Sequence, residues 1–531
     1  LLRPHKTTLV QPPCDVDAFR AHLRLLDIAV QLDCITTPEN EERLASQVAH
    51  PCRSSRYRVP MLTRRAFTGA VIASVQMRAA PVDLHWLTLE QAADLVRRKK
   101  VSPVELTRAC LARVEKLNKS LNAFITVTAE QALTGARALE AELVSGRYRG
   151  PLHGIPIALK DLIDTAGVRT TAASAHYSDR VPSEDAEVVR SLKAAGAVLI
   201  GKLNMDEFAY NFTSETSFFG AAHNPWQTSR SPGGSSGGSA IAVASGMCFA
   251  ALGSDTGGSI RLPASLCGIT GFKPTYGRVS TRGVAPLAWS LDHVGPMTRT
   301  ARDAALIMTA IAPPAATGAP GRSLKQIRLG VPDTPYFNGL APTVKESIQQ
   351  AAQVLSRLTG GIQDISLPAL PEFPAFPGLP LTYGTIITAE AYAFHEPMLK
   401  RAPDRYHAGT RRSIEGGAAV TAAAYIRARR EMDQLRAESV RLFERASLII
   451  TPAAPGPAFE LGSRQTLVWL RNLAPWNLYG LPAISIPCGF SGEGLPLGLQ
   501  ITGPAGRDDL VLALATAYQQ VTDWHTRRPP G

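Results

Sequence analysis

The chain has 531 residues, of which 45% are hydrophobic and 19% charged, with a formal net charge of +12. That balance excludes a disordered or fibrous chain, and 43 Gly with 40 Pro are too few for a low-complexity one. No run of eighteen apolar residues occurs, which argues against a membrane-spanning helix, and the positive charge is too dispersed to mark a nucleic-acid surface.

In chain order, residues 1–60 read as an N-terminal extension with one short apolar stretch over 19–32. Residues 61–80 have the layout of an export signal. Met61 is followed by Arg64-Arg65 with Phe67 two positions on, then a weakly apolar run over 66–75, then Ala79-Ala80-Pro81. The paired arginines resemble a twin-arginine signal. Translation is expected to start near Met61 and the mature chain near Pro81. This places the protein in the periplasm or outside the cell; without a working signal it stays in the cytoplasm. The folded domain is expected to span 81–531.

Apolar spacing predicts helices over 89–98, 103–117 and 130–144. The second opens with Ser102-Pro103, an N-cap followed by proline at the first helical position. The basic run Arg97-Arg98-Lys99-Lys100 suits the C-terminus of the first, where cations meet the negative end of the dipole. Strands over 155–159, 198–200 and 249–254 alternate with helices over 186–195 and 239–245, which argues for an α/β fold with a buried sheet. Residues 367–380 read as a proline-rich loop, with helices from 389 onward and a long charged helix over 427–444. Strands are expected over 448–450 and 483–487. Seven cysteines lie singly, without a Cys-x-x-Cys pair. Cys110, Cys248, Cys267 and Cys488 sit in apolar surroundings and read as buried thiols. No His-Glu-x-x-His occurs either, so no metal and no cofactor is expected.

The chemistry concentrates in residues 231–263. Two Gly/Ser loops, Ser231-Pro-Gly-Gly-Ser-Ser-Gly-Gly and Asp255-Thr-Gly-Gly-Ser-Ile-Arg, flank one apolar helix–strand unit. Glycine lets backbone N–H groups approach a ligand closely. The apolar run between the loops argues against a flexible linker, and the missing Gly-Lys-Ser/Thr ending argues against a P-loop. A serine nucleophile needs a base, and a desolvated lysine serves as one. Lys160, at the end of an apolar strand, is either that base or half of a surface pair with Asp161.

These segments resemble the amidase signature family from about residue 87 to 529. Gly154-Ile-Pro-Ile-Ala-Leu-Lys-Asp, Gly271-Phe-Lys-Pro-Thr and Pro475-Trp-Asn-Leu-Tyr-Gly-Leu-Pro add to the resemblance. It implies an amidase signature fold, with a central mixed β-sheet covered by helices on both faces. It implies Lys160 as base, Ser235 as bridging serine and Ser259 as nucleophile. The backbone N–H groups of Thr256, Gly257, Gly258 and Ser259 would form the oxyanion hole, with Ser236, Asp255 and Arg261 supporting the loops. The implied activity is hydrolysis of a carboxylic amide to acid and amine or ammonia through an acyl-enzyme on Ser259. The expected partner is a small-molecule amide, with no nucleic acid and no membrane, and the resemblance allows a homodimer.

Two other readings stand beside it. One is the glutamine-hydrolysing subunit of a tRNA-dependent amidotransferase. That subunit has an acidic residue several positions before its Asn-Leu-x-Gly motif, whereas residues 467–472 here contain none. Trp469 and Trp476 either line an aryl pocket or pack in the core, and Arg411 with Arg412 form a candidate carboxylate site. The other reading is a non-catalytic binding protein on the same fold.

Overall fold

A computed structural model describes residues 83–312, 323–333, 335–373 and 376–530. The expected extension, the export signal and Cys14, Cys34 and Cys52 lie outside the described residues.

The N-terminal helices form where their caps direct. In α1 (Leu89–Arg97) Thr88 and Gln91 make a reciprocal capping box. In α2 (Pro103–Leu121) Ser102 and Glu105 do the same, and Asn122 ends the helix in the left-handed conformation at φ 49°. The basic run closes α1, where Asp94 pairs with Arg97 at 2.7 Å and Arg98 at 3.0 Å. Next come β1 (Phe124–Val127), α3 (Ala129–Val144), β2 (Pro156–Lys160), α4 (Glu187–Ala194) and β3 (Val198–Leu203). They lead into α5 (Gly237–Ala244), β4 (Ala250–Asp255), α6 (Arg261–Cys267), β5 (Thr270–Lys273), β6 (His293–Thr298) and α7 (Ala301–Ile311). The second half adds β7 (Leu329–Pro332), α8 (Pro342–Leu358), β8 (Ile362–Ile365), α9 (Leu381–Arg401), α10 (Ala408–Glu415) and α11 (Ala422–Glu438). It ends with β9 (Leu448–Pro452), α12 (Ala474–Leu478), β10 (Ala483–Phe490), β11 (Pro496–Thr502) and α13 (Asp508–Gln520).

The strands form one mixed sheet in the order β1-β3-β2-β4-β6-β5-β10-β11-β9-β7-β8, flanked by helices. β3, β2 and β4 run parallel, β4 through β9 alternate antiparallel, and β9, β7 and β8 are parallel again. The fold is therefore α/β, with the central mixed sheet that the family resemblance implies. All eight residues of α5 are buried, so its apolar run is a core helix packed on β4 and β2. Cys110, Cys248, Cys267 and Cys488 are buried free thiols.

Several boundaries differ from the sequence expectation. The proline-rich stretch holds a short hairpin, Glu372–Phe373 with Phe376–Pro380, and α9 starts at Leu381, eight residues before the predicted helical region. The polar and glycine positions Thr382, Gly384, Thr385 and Thr388 interrupt the apolar spacing of α9, yet they are buried. The long charged helix runs Ala422–Glu438 and passes into a 3-10 turn, Ser439–Phe443.

Candidate active site

β2 and β4 are parallel neighbours, with Ile157 opposite Ala250 and Leu159 opposite Leu252. Lys160 and Asp255 therefore finish their strands at the same edge of the sheet. Lys160 is fully buried, and its Nζ donates to Ser235 Oγ at 2.7 Å and to Ser254 Oγ at 2.9 Å. Burial lowers its pKa to about 7, against the opposing pull of Asp206, Asp255 and Asp292. This is not a surface pair with Asp161. The Asp161 carboxylate turns instead to the Thr171 N–H at 2.9 Å and to the Thr171 hydroxyl.

Ser235 lies on the first Gly/Ser loop, directly before α5, and the Gly234–Ser235 peptide is cis. The Ser236 hydroxyl donates to Ser254 O at 3.1 Å and accepts from Ser254 N at 3.3 Å, fastening that loop to β4. The Ser236 N–H donates to Ser259 O at 3.2 Å, joining the first loop to the second.

The second loop is organised by Asp255. Its carboxylate accepts from Gly258 N at 2.7 Å and Ile260 N at 3.1 Å, on either side of Ser259. Arg261 meets it with two donors, Nε at 3.0 Å and Nη2 at 2.9 Å, and Asn477 Nδ2 adds a third at 2.9 Å. Burial alone would raise the Asp255 pKa; Arg261, Lys273 and Asn477 outweigh it and hold it well below the carboxylate range. Thr256 is fixed from outside the loop, its hydroxyl donating to Asp292 Oδ1 at 2.6 Å.

Ser259 opens onto a cavity of about 330 Å³. Thr256 and Gly257 line it with Ser259; Gly258 does not, and its N–H is already engaged by Asp255. No acceptor among the described residues takes the N–H of Thr256, Gly257 or Ser259. Arg261 is fully buried and absent from the cavity wall. Arg412 lines the cavity, whereas Arg411 is paired outside with Asp404 at 3.0 Å and Glu415 at 2.7 Å. Trp469 packs edge-on against Phe459, and Trp476 stacks with Tyr336, so both are core residues. Neither lines the cavity, where Leu467 and Leu470 form that part of the wall.

Tyr210, Phe212, Tyr383 and Ile387 also line the cavity, and sequence spacing does not mark them. The signal closest to hand was Gly257. A Cβ there would fall 2.0 Å from the Tyr383 hydroxyl, so this glycine is required by a side chain 126 positions away.

The Amidase family model matches residues 105–512. The chain belongs to the amidase signature family. It is 42% identical to one of the subunits of the Glutamyl-tRNA(Gln) amidotransferase of Roseiflexus sp. (strain RS-1), over 84% of this chain and 98% of that one. Among solved structures it is similar to a crystal structure of an amidase, at 35% identity and a TM-score of 0.75, covering 82% of this chain and 99% of that one. It is also similar to the corresponding subunit of the Thermotoga maritima Glutamyl-tRNA(Gln) amidotransferase, at 33% identity and a TM-score of 0.69, covering 84% and 98%. Family membership brings amide-hydrolase chemistry with it.

These relatives correct the expected partners. Proteins named as subunits of a tRNA-dependent amidotransferase recur at 39–42% identity. That name carries both a nucleic acid and an assembly of different subunits. The expectation of a small-molecule amide as the only partner, with no nucleic acid and a homodimer, is overturned by it. Dispersed charge on one chain does not speak to a nucleic acid that an assembly of several subunits acts on.

Proposed function

We propose that the chain is the glutamine-hydrolysing subunit of a tRNA-dependent amidotransferase, releasing ammonia through an acyl-enzyme on Ser259. In this reading neutral Lys160 takes a proton from Ser235, which takes one from Ser259, whose oxygen attacks the carboxamide carbon. The N–H groups of Thr256, Gly257 and Ser259 meet the developing oxyanion. The relay returns the proton to the departing ammonia, and water then cleaves the ester. Ser236, Asp255 and Arg261 act by holding the two loops in place.

The observation that carries this reading is Arg412, the one charged side chain lining the Ser259 cavity among the described residues. A guanidinium suits a substrate carboxylate. The relatives' shared name supports it. Replacing Arg412 with Leu should raise the KM for glutamine about tenfold or more, with a smaller effect on kcat. Glutaminase kinetics of the purified chain test this, and an unchanged KM would sink the assignment.

One observation favours a second reading. Leu467 and Leu470 line the cavity and, among the described residues, no carboxylate does, so an amino-acid ammonium would meet no counter-charge there. The same relay would then serve a carboxamide with an apolar acyl group. Comparing kcat/KM for glutamine with that for hexanamide separates the two readings.

A further inference from the structure

At the end of β4 remote from Ser259 lies a second cavity of about 290 Å³ that shares no lining residue with the first. Antiparallel pairing sets Thr298 beside Ala250 at the start of β4, which brings Arg299 to this end of the sheet. The six residues of β4 separate the two regions by roughly 17 Å. The walls come from Trp86 and the first turn of α1, from Arg299-Thr300 ahead of α7, and from residues 525–529 near the C-terminus.

The lining is cationic. Arg299, Arg527, Arg528 and His525 contribute to it and, among the described residues, no carboxylate does. Of the acids nearby, Glu90 pairs with Arg302 at 3.1 Å and Asp83 lies 3.9 Å from His85, while the buried Asp303 accepts from Glu90 N at 3.0 Å and acts as the counter-charge of Arg299. Arg299 is 9% exposed. Its Nη1 donates to Val243 O at 3.4 Å and Cys248 O at 3.2 Å, and its Nη2 donates to Leu87 O. Its Nε is buried and has no acceptor among the described residues. That N–H is sealed from the cavity, but one Nη2 N–H also lacks an acceptor among the described residues, and an anion in the cavity would take it.

The other two arginines are held in place by rings. Arg528 lies over Trp86 at 4.7 Å, and Arg527 lies over Trp524 and Phe490 at 5.5 Å each. Contact with a ring face leaves the in-plane N–H donors of a guanidinium free. The crowding of like charge also reaches His85. Burial first, then Arg113, with Arg299 and Arg528 adding, keep its pKa below the usual histidine range despite Asp83.

We propose that this cavity binds a phosphate-bearing ligand through Arg299, Arg527 and Arg528, at a site separate from amide cleavage. With Asp303 set against Arg299, Arg527 and Arg528 still leave the wall a net positive charge that suits a phosphate dianion, and a planar fork matches phosphate oxygens. The volume exceeds that of a phosphate group alone, so the group would arrive on a larger molecule, as a free ester or as part of an RNA strand. The proposal stands independently of the glutaminase reading.

The test uses the full chain and three probes: inorganic phosphate, AMP and a short single-stranded RNA. Phosphate should raise the thermal unfolding temperature. Calorimetric affinity for phosphate should fall about tenfold or more in the Arg527→Gln/Arg528→Gln double variant. Both side chains are exposed, so losing their ring contacts should lower the unfolding temperature of that variant without phosphate by only a small amount. Competition of AMP with phosphate, without RNA binding, identifies a free ester. RNA binding that phosphate competes away identifies a strand. Absence of binding by all three probes at millimolar concentration, or phosphate affinity unchanged by the double variant, would overturn the proposal.

Discussion

An ammonium with no exposed surface, whose nearest polar partners are two serine hydroxyls, has every reason to lose its proton. Lys160 is in that position, with its pKa brought down to about 7 from 10.5. If it is the base, activity falls as pH drops through about 7, because the protonated amine cannot accept from Ser235. A pH–rate profile flat below 7 would contradict a neutral-lysine base. Stability carries the same sign. Between about 7 and 10.5 the unfolded chain keeps a proton that the folded one has lost, so the burial penalty is largest below 7 and fades as pH rises. Lys160→Met should therefore gain stability over the wild type most clearly at pH 6 and least at pH 10, which thermal melts can measure. Ser259→Ala should lower kcat by roughly 10³-fold or more, and Ser235→Ala by less, since a water can bridge part of the relay. Asp255→Asn tests the scaffold separately. It leaves the fully buried Arg261 without its counter-charge and should cost about 3–5 kcal/mol in chemical denaturation. The Gly/Ser loops made Ser235, Ser259 and Asp255 stand out in the sequence. The engagement of the Gly258 N–H by Asp255 did not, because a hydrogen bond that reverses a loop donor leaves no trace in residue type.

At the scale of the element, the cavity depends on how closely α5 approaches the sheet. A Cβ on Gly238 would meet Asn204 O at 2.4 Å and Ala123 O at 2.6 Å, both backbone atoms that cannot step aside. Gly238→Ala should therefore cost about 2–4 kcal/mol and displace the loop that carries Ser235. Gly135 in α3 is the contrast. Nothing lies within 4 Å of its would-be Cβ, so Gly135→Ala should add about 0.5–1 kcal/mol through helix propensity. Equal destabilisation of the two variants in urea titrations would contradict this account of α5. Sequence spacing marks the elements whose burial is one-sided or complete, such as α1, α2, β2 and β4. It does not mark β1, β5 or α10. β1 and β5 have four residues each, and α10 buries only Thr410 and Ile414. The second half of the cavity wall comes from α9 and α10, which is why Tyr383 and Ile387 stayed illegible while the Gly/Ser loops did not.

The whole molecule poses a conflict of location. The relatives named as Glutamyl-tRNA(Gln) amidotransferase subunits match over 98–99% of their own length, and about a sixth of this chain lies outside that match. The export layout, Arg64-Arg65, the run over 66–75 and Ala79-Ala80-Pro81, precedes the matched family segment at 105–512. A protein that feeds ammonia to aminoacyl-tRNA must work where that RNA is, and a twin-arginine signal removes a folded chain from it. One chain cannot satisfy both. The amidotransferase proposal requires that the protein in its native cell fractionate with the cytoplasm and that Arg64-Arg65→Lys-Lys leave this distribution unchanged. It also requires that ammonia released from glutamine appear in amidated tRNA when the chain is combined with its partner subunits. Recovery of the protein outside the cytoplasm, with an N-terminus near Pro81 and retention on Lys-Lys replacement, would remove the tRNA from its reach. The Ser259 cavity would then act alone, and its Leu467–Leu470 wall, with no carboxylate among the described residues to receive an ammonium, would set the acyl group it accepts.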